Sequence, residues 1–166
     1  MTISNTSPKL VSSAPPDINL VQKKSTSINL VSYFADDEGD PLTMTATYSF
    51  NGASPMPISG GIFTKSDEFQ IAVASTSIED TGVYDITLTV SDVLLASMTQ
   101  TFKVIVTNTA PKISSTLPNP SIDHGKSISM PLDEYFIDDE GDTMTMTATY
   151  SLNSGSPHPI PGGLFT

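Results

Sequence analysis

The 166-residue chain contains no cysteine, no arginine and no tryptophan. The first absence removes disulfides, thiolate metal sites and cysteine nucleophiles, without fixing a compartment, since long β arrays outside cells often dispense with disulfides. The second leaves seven lysines as the whole basic complement, against 18 acidic residues and a formal net charge of −11. Nucleic-acid binding needs basic surface and favours the planar arginine fork, so no nucleic-acid partner is expected. Long apolar runs are also missing: nothing approaches the ~18 residues of a membrane-spanning helix. Residues 1–5, Met-Thr-Ile-Ser-Asn, have neither a basic start nor an apolar core. They do not form a secretory signal, and the start reads as internal to a longer protein. His124 and His158 are isolated, outside any metal-ligand spacing. No G-x-S-x-G, P-loop or H-E-x-x-H occurs, and no enzyme is expected.

What the chain does contain is the same passage twice. Residues 33–64 read YFADDEGDPLTMTATYSFNGASPMPISGGIFT, and residues 135–166 read YFIDDEGDTMTMTATYSLNSGSPHPIPGGLFT, with 23 of 32 positions identical. Asn5-Thr6-Ser7-Pro8-Lys9 likewise returns as Asn108-Thr109-Ala110-Pro111-Lys112. A period near one domain length marks a tandem array, and such arrays are usually spacers, adhesins or fibres. Thr166 corresponds to Thr64, so residues 65–108 have no counterpart in the second passage. The expected organisation is a complete module over 1–108 and the N-terminal part of a second copy over 109–166. The joint Asn108-Thr109-Ala110-Pro111 should be short and rather stiff, because proline fixes its own φ and restrains its predecessor.

Period-two alternation dominates. Leu42, Met44, Ala46 and Tyr48 fall on one face, with Thr43, Thr45 and Thr47 on the other. Tyr84, Ile86, Leu88 and Val90 alternate with Asp85, Thr87 and Thr89, and Phe102, Val104 and Val106 alternate with Thr101, Lys103 and Ile105. Such runs are half-buried strands. Further strands are expected over 9–11, 18–21, 27–31, 62–64 and 68–73, with the long ones over 42–48, 83–90 and 98–106. Thirteen prolines and ten glycines lie mostly between these runs. Short strands with punctuated turns in about 100 residues indicate an all-β, two-sheet antiparallel sandwich with essentially no helix, the Leu42-to-Tyr48 and Tyr84-to-Val90 faces inside.

Three stretches together resemble the cadherin-like, dystroglycan-type repeats of surface proteins with immunoglobulin-like folds. They are Asp36-Asp37-Glu38-Gly39-Asp40 before the strand over 42–48, Asp80-Thr81-Gly82-Val83-Tyr84 leading into Asp85-to-Asp92, and Phe102-to-Pro111 running into the next module. The resemblance covers essentially the whole chain. It departs from the family in lacking a tryptophan after the proline loop near Pro57 and the Gly-Thr-Pro after the middle strand. It implies tandem Ig-like, cadherin-like β-sandwich modules, the second incomplete, in an extracellular or cell-surface protein. At the D-x-G-x-Y corner of such sandwiches a tyrosine hydroxyl ties the incoming loop to the strand. Tyr84 is expected to be that pin, with Asp80 capping the turn.

The acidic stretch places four carboxylates within five residues around a glycine. Like charges this close repel, and a hard divalent cation relieves the repulsion through oxygen ligands. The resemblance implies calcium, held near module junctions by such acids and a linker asparagine. The candidate metal ligands are Asp37, Glu38, Asp40, Asp92 and Asn108, with Asp138, Asp139, Glu140 and Asp142 in the second copy. The other reading is a solvated acidic turn bent by its glycine; no EF-hand pattern is present. Asn5-Thr6-Ser7 is the one N-glycosylation acceptor, because Asn119-Pro120-Ser121 is disqualified by its proline. Ser and Thr make up 44 residues. They serve β-propensity on half-exposed strands or carry O-linked sugar.

These observations lead to a non-enzymatic extracellular structural or adhesive segment, part of a filament, stalk or surface coat. Its expected partners are adjoining modules of the same chain or copies of itself joined head to tail. The alternative is a carbohydrate- or partner-binding accessory module of a larger secreted protein. An aromatic fraction of 7% without tryptophan weighs against that alternative. Residues 109–166 lack equivalents of the two longest strands, so an apolar face of the second copy should need strands from elsewhere.

Overall fold

The computed structural model describes residues 4–160. The chain divides into two compact units, residues 1–109 and 110–166. Among the described residues the first unit contains ten strands: β1 (Lys9–Leu10), β2 (Ile18–Val21), β3 (Ser25–Asn29), β4 (Phe34–Ala35), β5 (Thr43–Phe50), β6 (Met56–Pro57), β7 (Phe63–Asp67), β8 (Gln70–Ala74), β9 (Gly82–Ser91) and β10 (Ser97–Thr107). Single 3-10 turns at Val31–Tyr33 and Ile78–Asp80 interrupt them, and no α-helix occurs among the described residues. A five-stranded sheet in the order β2-β10-β9-β5-β6 faces a three-stranded sheet in the order β3-β8-β7, while β1 pairs β4. This is the strand order of an immunoglobulin-like β-sandwich, with β3, β8 and β7 on one sheet and β5, β9 and β10 on the other.

The long strands follow their alternation. Tyr84, Ile86, Leu88 and Val90 are buried on β9, while Asp85, Thr87 and Thr89 between them are half-buried on the outer face. Met44 and Tyr48 point inward from β5, and Leu42 and Ala46 pack against the same core. Leu30, Phe63, Ile71 and Val73 meet them from the other sheet. Each such fully buried side chain contributes about 1.5–3 kcal/mol relative to exposure. An aromatic group closes one end of the core. The Tyr48 and Phe63 ring centroids are 4.9 Å apart, and Phe63 meets Tyr84 edge-on at 5.2 Å.

One feature differs from a wholly antiparallel reading. β2 runs parallel to β10, with Ile18 opposite Val104. The other side of β10 is taken by β9, and β2 reaches the free edge travelling the same way, so it adds as a parallel strand. The two-residue strands β4 and β6 are too short to leave a period in the sequence. Gly82 explains its own place in the D-x-G-x-Y stretch. Its φ is +150°, and a Cβ there would meet the Phe50 ring at 2.5 Å, so no other residue fits without displacing the aromatic group.

In the second unit, β11 (Lys112–Ile113) pairs β12 (Phe136–Ile137), and β13 (Thr149–Tyr150) pairs β14 (His158–Pro159). The local registers repeat those of the first. Lys112 opposite Ile137 matches Lys9 opposite Ala35, and Tyr150 opposite His158 matches Tyr48 opposite Met56. The bond from Ser114 N–H to the Tyr135 carbonyl, 2.9 Å, repeats that from Val11 to Tyr33, 3.0 Å. Even the left-handed turn at Lys23, φ 58°, recurs at Gly125, φ 76°. What does not recur is strand length: β5 spans eight residues and β13 two. β5 is held along its length by β9, from Thr43 opposite Ser91 to Phe50 opposite Tyr84, and no described residue plays that part for β13.

Candidate functional site

The acidic turn is built by its first aspartate. Asp36 Oδ1 accepts the backbone N–H groups of Glu38 at 2.9 Å and Asp40 at 3.3 Å, and Gly39 N–H bonds the Asp36 carbonyl at 3.2 Å. Gly39 has φ +78°, with open space where a Cβ would stand. The second copy repeats the arrangement: Asp138 Oδ1 accepts from Glu140 at 3.1 Å and Asp142 at 3.0 Å. Asp36 is missing from the ligand set expected from sequence, although aspartate three residues before glycine is the signature of such a side-chain-closed turn.

The remaining acids fasten the start of the module. Lys9 forms an ion pair with Asp37, and Lys112 repeats it with Asp139 at 2.7 Å. Glu38 accepts the Thr6 hydroxyl at 2.6 Å. Asn5 donates its side-chain N–H to Asp92 Oδ2 at 2.9 Å, while Asp92 Oδ1 accepts from Leu94 at 2.8 Å and Ala96 at 3.0 Å. Pro8 is buried between these ties. The repeated Asn-Thr-x-Pro-Lys motif is therefore laced, in the first unit, to the acidic turn and to the hairpin after β9. The exposed Lys9 pair contributes at most about 1 kcal/mol. The Asn5 bond matters more, because Asp92 is only 2% exposed and would be left with an unpaired oxygen. The Asn5 amide nitrogen, where an N-linked sugar would attach, is engaged in that bond.

Asp37, Glu38, Asp40 and Asp92 thus gather at one end of the sandwich. Asn108 lies at the other, after the last residue of β10, where its Oδ1 accepts from Gln22 Nε2 at 2.6 Å. The 11 residues of β10 span about 35 Å, so one ion cannot touch both Asn108 and Asp92. Calcium needs about six to eight converging oxygens. Here an ammonium group faces Asp37, a hydroxyl donates to Glu38, and three N–H groups occupy Asp92. Asp36 Oδ2 is buried with no hydrogen-bond partner. Among the described residues no three acidic or histidine side chains converge on a metal position. The donor set as folded does not fit calcium. Adding a chelator should leave the melting temperature unchanged, as read by calorimetry with and without calcium; a calcium-dependent rise would require Lys9 and Thr6 to swing away.

The second cluster is the tyrosine corner. Tyr84 donates its hydroxyl to the Asp80 carbonyl at 2.9 Å. Asp80 Oδ2 in turn accepts the backbone N–H groups of Thr76 at 2.6 Å and Ser77 at 3.0 Å, closing a capping box on the 3-10 turn. Burial pushes the Tyr84 hydroxyl up to about 12, with the Asp80 and Tyr48 charges adding to it. Above the ordinary tyrosine range the unfolded chain ionises first. Stability should therefore fall between about pH 10 and 12, and that part of the alkaline loss should vanish in Tyr84→Phe. The same substitution should cost about 1 kcal/mol at neutral pH by denaturant titration.

Two residues that sequence reasoning missed satisfy the start of β5. Met44 N–H bonds Glu68 Oε1 at 2.8 Å, and the Met44 carbonyl accepts from Lys65 Nζ at 2.7 Å. The Met44 bond holds the Glu68 carboxyl below its usual range, against a smaller opposing effect of burial and with help from Lys65. Only the packing of one sheet on the other reveals this pairing.

No protein-family profile matches the chain, and no curated protein matches it. Solved structures do. One is the eight N-terminal Ig domains of Down Syndrome Cell Adhesion Molecule, at 15% identity and TM-score 0.48, covering 68% of this chain and 14% of that one. Another is Sidekick-1 immunoglobulin domains 1–5, at 14% and 0.43, covering 66% and 21%. A third is a nucleoside hydrolase-related hypothetical protein from Saccharophagus degradans associated with carbohydrate metabolism, at 20% and 0.44, covering 62% and 26%. The chain thus spans about a quarter or less of each. The sandwich itself stands on the strand order and registers above.

Proposed function

We propose that this chain is a segment of an extracellular, non-enzymatic array of immunoglobulin-like sandwich modules with a structural or adhesive role, as a stalk, surface coat or filament. The observation that carries this reading is the lacing of the junction motif. In the first unit Asn5, Thr6 and Lys9 are tied to Asp92, Glu38 and Asp37, and the motif and its acidic turn return together one module later. The acids at the module entrance are thereby spent on holding the connecting segment, which is what a load-bearing or spacing array requires and a catalytic cleft does not. Calcium is not part of the reading, because Lys9, Thr6 and three N–H groups already face Asp37, Glu38 and Asp92. No helix among the described residues is long and apolar enough to cross a membrane.

Antibodies raised against the first unit should label intact, unpermeabilised source cells or their shed coat material. Beads coated with the protein should bind such surfaces or one another. Labelling confined to the cell interior would overturn the extracellular role, and selective capture of a soluble glycan without any bead association would favour an accessory binding module instead.

A further inference from the structure

The second unit carries an open apolar face whose occupant the first unit specifies. Leu30, Phe34, Met44, Tyr48 and Ile58 are at most 7% exposed in the first unit. Their repeat counterparts are Leu132, Phe136, Met146, Tyr150 and Ile160, and none of these is buried; Met146 is 53% exposed where Met44 is 1% exposed. Among the described residues, no apolar side chain of the second unit is buried. Leu132, Phe136 and Met146 border an open trough of about 570 Å³ that Pro111, Leu117 and Met144 also line. A contiguous apolar surface of this kind marks an interaction site.

In the first unit β9 and β10 extend the sheet beside β5, and the β3-β8-β7 sheet closes the core over that face. Met44 lies opposite Val90, Ala46 opposite Leu88 and Tyr48 opposite Ile86, while Ile71 and Val73 close the core from the other sheet. The β11–β12 register and the acidic turn, which do not depend on those strands, are already formed in the second unit. The unit is therefore shaped for one kind of cover.

We propose that the face of the second unit is completed by a stretch with the pattern of residues 65–107, joined in line after β14, giving a second full sandwich; this rests on the tandem-array reading above. A folded copy of the first unit is a poor donor. Its own Ile71, Val73, Ile86 and Leu88 are at most 1% exposed, and lending them would forfeit about 1.5–3 kcal/mol for each. An in-line stretch has no such cost, and the short connection raises its effective concentration.

Thr166 holds the place of Thr64 in the repeat, so the chain's own residues 65–108 can be fused directly after Thr166. Calorimetry of this extended chain should show a second cooperative transition absent from the parent, with the first unchanged. Peroxide oxidation of Met146 should slow at least tenfold, while Met56, 47% exposed in the first unit, oxidises as before. Met146→Asp in the extended chain should abolish the new transition alone. As a second route, a synthetic peptide of residues 82–107 added to the parent should slow oxidation at Met146 but not at Met56. The proposal fails if neither the fusion nor the peptide protects Met146. It also fails if the parent alone protects Met146 in a concentration-dependent oligomer, which would make a second copy the occupant. Neither failure bears on surface location, which antibody labelling decides separately.

Discussion

Met44→Ala should destabilise the first unit by about 2–5 kcal/mol, whereas Met146→Ala should change stability by less than about 0.5 kcal/mol. The two methionines hold the same repeat position inside the same Thr-Met-Thr-Ala-Thr-Tyr strand sequence. Met44 is 1% exposed, beside Val90 on the neighbouring strand and in the core that holds Ile71, so truncation removes apolar contacts and leaves a cavity in a packed core. Met146 is 53% exposed and has little to lose. Urea titrations of the two variants, followed by tyrosine fluorescence, measure the contrast directly. Equal effects would mean that the second unit is already covered in solution. The comparison therefore also reports on the proposed completion of that unit, since Met146→Ala should become costly in the extended chain.

Asp80→Ala should cost the first unit about 2–3 kcal/mol. The carboxylate caps the 3-10 turn, accepting from Thr76 and Ser77 backbone and from the Ser75 hydroxyl at 3.3 Å, while the Asp80 carbonyl receives the Tyr84 hydroxyl. Alanine keeps the carbonyl contact but strands the donors. Burial by itself would push the Asp80 carboxyl up, yet the backbone bonds from Thr76 and Ser77 outweigh it and hold it below its ordinary value. A carboxyl lowered in the folded state stabilises the fold above its unfolded pKa, and that stabilisation is lost as the pH falls through its folded value. Wild-type stability should thus decline below about pH 4, with Glu68 adding in the same direction. Asp80→Ala should show a shallower acid decline. An acid limb of unchanged slope would assign the pH dependence to other carboxylates.

Much of the fold was legible because β-strands write their burial into the sequence with a period of two. β2 occupies the residues expected of it, and β9 and β10 differ from expectation by a single residue at each end. The tyrosine corner was legible because D-x-G-x-Y needs a glycine where a Cβ would strike Phe50 and a hydroxyl that reaches Asp80. The acidic turn was visible as a cluster of charge, but its wiring was not. Which carboxylate closes the turn, which meets Lys9 and which meets Thr6 depends on how β1 lies beside β4 and where the hairpin after β9 returns. Asn108 reads in sequence as a neighbour of the acids, and the length of β10 carries it to the opposite end.

The sequence by itself determined the repeat, the strand periodicity, the buried faces of the long strands and the bend in each acidic turn. These are properties of residues a few positions apart. Tertiary structure alone decided the parallel addition of β2 to β10, the support of Met44 by Lys65 and Glu68, and the spending of the entrance acids on the junction motif. It also decided that one strand sequence runs eight residues in the first unit and two in the second. A strand's length is fixed by the neighbour that takes up its backbone hydrogen bonds, and that neighbour lies far away in sequence.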